Sequence, residues 1–370
     1  MRHIKTGWAM TAAALLLLML SVFPCAAEKV EEEPQDEWTV MFYFCGADLE
    51  SKYSYASGDL NDIWLVSYPD NYLPLLLGAD PDSFTRPGKV NVLIETGGSR
   101  EWHAEAHELT VDSSALQRWK FNVYPYETDE KNWRNDGYEL METLPLQSMA
   151  DPQTLSDFIR WGTTVCPAKK YALVLWGHGE GAGTGLLVDE LFDHDIMYLY
   201  ELRQALEDAG EIMEALVIDA CLMSSIETAW SVREYARWMI ASEKNVPGKG
   251  SAVENWLQYL LEYPECDGEW LGRCICDTTG IKYANEAEEE AKSILTWSVT
   301  DLSKIEPLTE SIEKFFSICG KALKERPEIA NFYMNCIFAA PEYGDGVNIT
   351  FPDISSWESE DWTVLRRNGG

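Results

Sequence analysis

Two short apolar runs, each followed by a reactive side chain, constrain the fold of this chain more than any other feature. The first is Tyr171–Trp176, which leads into His178, and the second is Ala215–Ile218, which leads into Cys221. Apolar runs of this length are typical of strands that are buried on both faces of a parallel sheet. The sequence therefore predicts two core strands that end close to these two side chains.

The segment between the two runs predicts a helix. Residues 201–209 carry apolar side chains at helical spacing, and Gly210 follows at a position where helices commonly end. A strand, a helix and a second strand form a unit in which both strands run in the same direction. We therefore expect His178 and Cys221 to meet at one edge of the sheet, although they are 43 positions apart.

These two side chains have the chemistry of a nucleophile and its base. A cysteine attacks only as thiolate, and a neighbouring imidazole is the usual means of forming one near neutral pH. A helix predicted over residues 222–235 would also lower the pKa of the Cys221 thiol, because its N-terminal end is positive. The amides of Gly179 and Cys221 are candidates for stabilising an oxyanion. No third catalytic carboxylate is evident, so the sequence predicts a cysteine peptidase dyad of His178 and Cys221.

Several motifs give the chain a family resemblance. They are Trp38–Phe44, Asp48–Glu50, Trp176–Glu180, Asp219–Met223, Ala241–Glu243 and Pro247–Gly248. Over residues 37–352 the chain resembles the clostripain-family cysteine peptidases, since its His-Gly and Asp-Ala-Cys elements each follow a strand in the family's order. The resemblance implies a caspase-like α/β/α sandwich with a mostly parallel central sheet flanked by helices. It also implies an endopeptidase that forms a thioester acyl-enzyme and cuts protein or peptide substrates after basic residues.

The residues expected to bind substrate include one departure from the family. The resemblance implies that Asp219 helps to form the acidic wall of the specificity pocket, and a strand-end or helix-cap role is the alternative. Lys249 stands in the loop where these enzymes usually carry an acidic group. A cation there opposes an Arg or Lys side chain by ~1 to 4 kcal/mol, so cleavage after basic residues is in doubt unless Asp219 and Glu243 compensate. A catalytically silent, secreted binding or adhesion protein on the same scaffold is therefore the alternative function.

The sequence predicts no metal site. His103 and His107 share one side of a helix or strand, but they lack the His-Glu-x-x-His order and a third ligand. We expect two solvent-facing histidines on an outer strand. Calcium dependence occurs in some relatives and stays open, because the acidic loops can supply oxygen ligands although they lack EF-hand spacing.

The N-terminus predicts export. Basic residues precede the apolar run Ala12–Leu20, and the small residues Ala26 and Ala27 follow it. This is the pattern of a secretory signal peptide over residues 1–27, cleaved after Ala27. A lipoprotein anchored through Cys25 is the alternative. We expect a secreted or cell-surface protein without a membrane span once the signal is removed.

The rest of the chain is predicted to form one domain. Its parts are a mobile acidic leader (28–36), the caspase-like peptidase domain (37–352) and a tail (353–370), with a surface insertion (52–88) and a C-terminal helical part (282–340) inside the domain. The formal net charge of −33 argues against nucleic acid and anionic membranes as partners, and is compatible with cationic substrates or with solubility alone. We expect a monomer.

The cysteines do not indicate a disulfide framework. Eight of the nine lie after the predicted signal peptide. If Cys221 stays free, an odd number remains, and the spacing differs from that of disulfide-rich domains. We expect mostly buried free thiols, with one possible bridge among Cys266, Cys274 and Cys276.

Overall fold

A mixed sheet forms the centre of the described part of the chain. The computed structural model describes residues 36–66, 90–103, 109–121, 137–285 and 295–325. The strands are β1 (Asp36–Cys45), β2 (Val90–Gly97), β3 (Ala115–Phe121), β4 (Tyr138–Pro145), β5 (Ala168–Trp176), β6 (Leu186–Asp189), β7 (Asp195–Met197), β8 (Met213–Asp219), β9 (Ala236–Ser242) and β10 (Trp297–Asp301). The helices are α1 (Ala47–Ser51), α2 (Tyr55–Leu65), α3 (Pro152–Val165), α4 (Leu199–Ala209), α5 (Ile226–Val232), α6 (Val253–Glu262), α7 (Gly268–Asn285) and α8 (Ile305–Glu325).

The centre of the sheet is parallel. Within the described residues, eight strands pair in the order β10-β9-β8-β5-β1-β2-β3-β4, and the five from β9 to β2 run in one direction. The strands β3, β4 and β10 extend the two edges in antiparallel pairings. The strands β6 and β7 form a separate hairpin. The predicted mostly parallel sheet is confirmed, including the strand, helix and strand unit β5-α4-β8.

The central strands end at the same level. Trp176 at the end of β5 pairs with Phe44 of β1 on one side and with Asp219 of β8 on the other. Because parallel strands in register present their carboxyl ends at one edge, the segments that follow these three residues leave the sheet together. This edge is where the predicted catalytic residues lie.

Two apolar layers enclose the sheet. Successive strand residues point to opposite faces, so Leu173 and Leu175 pack against α3, α4 and α5, whereas Val174 and Val217 pack against α2, α6 and α7. Both faces of the central strands are buried, which explains why their sequences are continuously apolar. The burial of these side chains is the main stabilising contribution to the three-layer sandwich.

The prediction of a surface insertion over residues 52–88 is wrong for the first part of this range. The helix α2 lies within this interval, and Leu60 and Ile63 are completely buried in the core. Two apolar side chains one turn apart place a helix face against the sheet, which an external insertion does not do. The rest of the interval, 67–89, lies outside the described residues.

Several other expectations fall partly outside the described residues. The predicted C-terminal part contains β10 and α8, while 286–294 and 326–340 are not described. The signal peptide, most of the leader and the tail are likewise outside. The described cysteines are all free, so the possible bridge among Cys266, Cys274 and Cys276 is not formed. Among the described helices, none combines the length and apolarity that a membrane span needs.

Candidate active site

His178 and Cys221 leave neighbouring strands at the same edge of the sheet. Each lies two residues beyond the last paired row of β5 and β8. The amide of Gly177 donates a hydrogen bond to the carbonyl of Asp219 at 3.3 Å, so the two segments stay in contact beyond the strands. A Cβ placed on Gly179 would lie 2.9 Å from the backbone nitrogen of Cys221. The backbones of the two predicted catalytic residues are therefore adjacent.

Cys221 lies half-buried in the turn after β8. The amide of Val246 donates a hydrogen bond to its Sγ at 3.2 Å. Burial nevertheless raises the pKa of the Cys221 thiol; the Val246 amide opposes this rise, and the charges of Asp219 and Glu180 add to it. The thiol therefore needs a neighbouring cation to ionise near neutral pH.

The helix predicted over 222–235 begins later than expected. It is α5, which begins at Ile226 and is capped by the side chain of Ser225. Leu222 has a φ of 63°, in the left-handed region, where a right-handed helix cannot continue. The positive end of a helix acts mainly within its first turn. The predicted start of this helix at Leu222 is therefore wrong, and Cys221 does not immediately precede its first turn, as the expected effect on the thiol pKa required.

The two predicted oxyanion amides belong to adjacent backbone segments. The chain after His178 is held against the start of β6, because the Leu187 amide donates to the His178 carbonyl at 2.8 Å and the Glu180 amide to the Gly185 carbonyl at 2.9 Å. In the described part of the chain, neither the amide of Gly179 nor that of Cys221 donates to another residue. Both donors therefore remain available to a ligand at this edge.

His178 contacts a carboxylate that the sequence analysis did not assign to the site. The Nε2 atom of His178 lies 2.6 Å from Oδ1 of Asp48 on α1, and both side chains are about one third exposed. The other carboxylate oxygen of Asp48 lies 3.0 Å from Nζ of Lys52. Partial burial alone would raise the pKa of Asp48, but the hydrogen bonds from His178 and Lys52 outweigh it and lower the pKa. Asp48 is therefore ionised at neutral pH.

Asp219 and a second carboxylate converge on the loop after β9. Oδ2 of Asp219 accepts a hydrogen bond from the Ser251 amide at 2.9 Å, whereas its buried Oδ1 accepts none from the described residues. Asp59 of α2 accepts a hydrogen bond from Nε1 of Trp176 at 2.6 Å. A Cβ on Gly250 would lie 3.0 Å from an oxygen of Asp219 and 3.2 Å from one of Asp59. Both buried carboxylates therefore face the same short segment of backbone.

Acidic groups predominate around this segment. Burial raises the pKa of Asp59 and of Asp219, and the charge of Asp219 raises that of Asp59 further. The cation that acts on both carboxylates is Lys282, whose Nζ lies 3.6 Å from oxygens of Asp62 and Glu254. Four carboxyl groups therefore lie close to one buried ammonium group, and burial disfavours the charged form of Asp59 and Asp219.

The other two residues predicted to bind substrate lie on the surface. Glu243 follows β9 with an exposed side chain, and its amide donates to the carbonyl of Thr296 at 3.2 Å. The side chain of Lys249 is also exposed, and its charge opposes the rise that burial causes in the pKa of Asp62. The predicted trio of Asp219, Glu243 and Lys249 therefore combines one buried carboxylate with two exposed charges.

The histidine pair at 103 and 107 is described only in part. Nδ1 of His103 lies 3.3 Å from a carboxylate oxygen of Glu50, which also accepts a hydrogen bond from the His103 amide at 2.7 Å. This contact anchors the loop after β2. His107 lies outside the described residues. Within those residues, no group of three or more His, Cys, Asp or Glu side chains could hold a metal ion.

The fold is similar to that of solved C11 cysteine proteases. A secreted C11 cysteine protease from Bacteroides thetaiotaomicron, in complex with an irreversible peptide inhibitor, matches with a TM-score of 0.53 and 20% identity, over 73% of this chain and 67% of that chain. An inactive zymogen C11 protease from Parabacteroides distasonis matches with a TM-score of 0.52 and 21% identity, over 75% of this chain and 65% of that chain. At sequence identities this low, the structural matches establish a shared fold and nothing further.

A family profile identifies the relationship. The profile of the clostripain family matches residues 123–357, which is more than half of the chain. The chain therefore belongs to the clostripain family of cysteine peptidases, and the resemblance inferred from the motifs is confirmed. The matched range includes His178 and Cys221, whereas Asp48 and Asp59 precede it. Comparison with curated proteins found no match.

Replacing Gly179 by alanine is expected to destabilise the edge of the sheet. Its methyl group would overlap the carbonyl oxygen of Cys221 and lie 2.9 Å from the nitrogen of that residue. We expect Gly179→Ala to lower the free energy of unfolding by about 1 to 3 kcal/mol, the usual cost of forcing extra atoms into a packed site. Urea unfolding measures this change.

Gly183→Ala in the same loop is the matched control. A Cβ on Gly183 has no atom within 4 Å. Its unfolding free energy should stay within about 1 kcal/mol of the wild-type value. Equal stability of the two variants would contradict the close contact between Gly179 and Cys221.

Proposed function

We propose that this protein is a secreted cysteine endopeptidase in which Cys221 is the nucleophile and His178 the general base and acid. The observation that carries the proposal is the contact between the backbones of Gly179 and Cys221, which brings the two functional groups to one edge of the sheet. Membership of the clostripain family supports the reaction class.

The proposed reaction has two stages. His178 takes the proton of the Cys221 thiol, and the thiolate attacks the peptide carbonyl carbon to form a tetrahedral adduct. The adduct collapses to a thioester when the peptide C–N bond breaks and the His178 imidazolium gives its proton to the leaving amine. Water, deprotonated by His178, then attacks the thioester and releases the new carboxyl terminus and the thiol. The amides of Gly179 and Cys221 would stabilise the oxyanion in both stages.

The environment of Cys221 explains why the imidazole is needed. Burial raises the pKa of this thiol, so an isolated Cys221 would remain protonated at neutral pH. Transfer of its proton to a neighbouring imidazole replaces a single buried anion with an ion pair, which is far less costly. Both charged groups are then stabilised where the substrate carbonyl would bind.

We further propose that the enzyme cuts after Arg or Lys, despite Lys249. The support is the unpaired Oδ1 of Asp219 and the nearby carboxylate of Asp59, both buried beside Gly250. A guanidinium or ammonium group bound there would supply the missing donor and stabilise the ionised form of these carboxyl groups. Lys249 acts on Asp62, and the cation that acts on Asp219 is Lys282. The charge of Lys282 therefore lowers the pKa of Asp219, whereas that of Lys249 lowers the pKa of Asp62.

Secretion is proposed on separate grounds. The sequence pattern of residues 1–27 is that of a signal peptide. A structurally similar C11 protease from Bacteroides thetaiotaomicron is described as secreted. N-terminal sequencing of the exported protein would be expected to begin at Glu28, and a lipid-modified Cys25 would support the anchored alternative.

The peptidase proposal predicts that turnover requires both catalytic side chains. A fluorogenic peptide library that varies the residue before the cut should be hydrolysed by the wild-type protein. Cys221→Ala and His178→Ala should each lower kcat by at least about 10³-fold, because no nucleophile or base remains. The matched control is Cys274→Ala, which removes a partly buried free thiol on α7. Absence of thiol-dependent turnover of any library member would favour a binding protein on the same scaffold.

The specificity proposal predicts a selective effect of Asp219→Asn. This change keeps the shape of the side chain and removes its charge. We expect kcat/KM to fall about 10- to 100-fold for substrates with Arg or Lys before the cut, the value of one hydrogen bond between charged groups. Substrates with norleucine at that position should change less than about threefold. An equal loss for cationic and neutral substrates would indicate a structural role for Asp219 instead.

A further inference from the structure

Three neighbouring strands each deliver one functional group to the same edge of the sheet. β8 leads to Cys221, β5 leads to His178, and β1 leads through Gly46 to Asp48 on α1. Since β5 lies between the other two strands, the imidazole lies between the thiol-bearing segment and the carboxylate. The rows of paired residues that precede these groups are level, so the order of strands alone gives the order Cys, His, Asp.

We propose that Asp48 is the positioning residue for His178, so that the catalytic unit is a Cys221-His178-Asp48 triad instead of a dyad. This inference rests on the proposed peptidase function. Its basis is the 2.6 Å contact between Nε2 of His178 and Oδ1 of Asp48. An ionised carboxylate can only accept, so Nε2 carries the proton and donates it to Asp48.

The contact determines which ring nitrogen is available to the thiol. With its Nε2–H directed at Asp48, neutral His178 keeps a lone pair on Nδ1, and this nitrogen can take the proton of Cys221. The carboxylate also stabilises the imidazolium that results, as an orienting acceptor does in other catalytic sites. Without Asp48 the ring would be free to rotate or to adopt the other tautomer, and neither alternative reproduces this proton path.

The structure holds Asp48 in place for this role. Lys52 binds its second carboxylate oxygen at 3.0 Å, which leaves Oδ1 for the imidazole. The amide of Gly46, just before α1, donates to the carbonyl of Gly97 at 2.9 Å, and the amide of Ala47 donates to that of Gly98 at 3.1 Å. These bonds tie the start of α1 to the end of β2. The carboxylate is therefore supported from the backbone and from a side chain.

An exposed ion pair with Lys52 is the competing explanation for Asp48. Pairs of this kind, one turn apart on a helix, contribute only about 0.3 to 0.5 kcal/mol to stability and have no catalytic effect. If Asp48 served only this pair, its removal would leave the His178 ring and the reaction unchanged. The value of kcat and the position of the proton on the His178 ring therefore distinguish the two roles.

The kinetic test compares Asp48→Asn and Asp48→Glu with the control Asp157→Asn. Asp157 is an aspartate with a largely exposed side chain that pairs with Arg160 on α3, as Asp48 pairs with Lys52 on α1. We expect Asp48→Asn to lower kcat by about 10- to 100-fold with a smaller change in KM, since a misdirected catalytic group costs rate rather than binding. Asp48→Glu should recover part of the loss, and Asp157→Asn should behave as the wild type.

The pH profile separates positioning from a general loss of structure. Loss of the carboxylate destabilises the imidazolium, so the alkaline limb of the kcat/KM profile should move to lower pH in Asp48→Asn. A wild-type kcat with an unchanged limb would overturn the proposal. A lower kcat that accompanies a lower melting temperature, with the limb unchanged, would also overturn it, because that result indicates a structural role.

A spectroscopic measurement tests the inference even if the peptidase function fails. Nitrogen-15 NMR reports which nitrogen of a histidine ring carries the proton, and His178→Ala identifies the signals of His178. In Cys221→Ala, which has no activity to measure, His178 should be in the Nε2–H form. Adding Asp48→Asn should shift the ring toward a mixture of tautomers. The same Nε2–H signature with and without Asp48 would refute the positioning role independently of any turnover.

Discussion

The site depends on the level ends of three neighbouring parallel strands. Phe44, Trp176 and Asp219 form one row across β1, β5 and β8, and the proposed functional residues follow this row within a few positions. A shift of one residue in either register would turn every side chain of that strand to the opposite face. The continuous apolar burial on both faces of these strands prevents such a shift. The packing of the core thus fixes the relative positions of groups that lie far apart in sequence.

The electrostatics of the site follow from placing a thiol among acidic groups. The chain carries a formal net charge of −33, and the carboxylates of Asp219 and Glu180 make it harder to ionise the already buried Cys221. The helix α5 begins only at Ile226, five positions after Cys221, so a neighbouring imidazolium is the natural counterion for the thiolate. The buried carboxyl groups near Gly250 have a similar need for a counterion, which the proposed cationic substrate side chain would meet. Burial among acidic groups therefore underlies both the proposed ionisation of Cys221 and the proposed choice of substrate.

The sequence predicted the parts of the site that depend on strand periodicity. The strands β5 and β8, the helix between them and the shared edge all follow from short apolar runs and helical spacing, because burial on both faces of a strand leaves a clear signal. The helix start after Cys221 was predicted wrongly, since the left-handed Leu222 and the cap at Ser225 override helical propensity locally. A capping serine was present in the sequence but could not be distinguished from other polar residues of the segment.

The carboxylates Asp48 and Asp59 could not be identified with the same rules. Asp48 follows β1 as His178 follows β5, so it lies beside the imidazole only because β1 is the neighbour of β5 in the sheet. This order of strands is not encoded in any local sequence pattern. Asp59 lies on a helix that resembled part of an external insertion, so its burial beside Asp219 depends on tertiary packing. Both residues became apparent only from contacts between segments more than 100 positions apart.

The central claim is that the imidazole of His178 ionises a thiol that burial would otherwise keep protonated. The most direct measurement is the rate at which iodoacetamide alkylates Cys221, quantified by peptide mass spectrometry as a function of pH in wild type and in His178→Ala. We expect rapid alkylation of the wild-type residue near neutral pH, and alkylation of the variant only at more alkaline pH, because burial raises the pKa of the unassisted thiol. Identical pH profiles for the two proteins would contradict it.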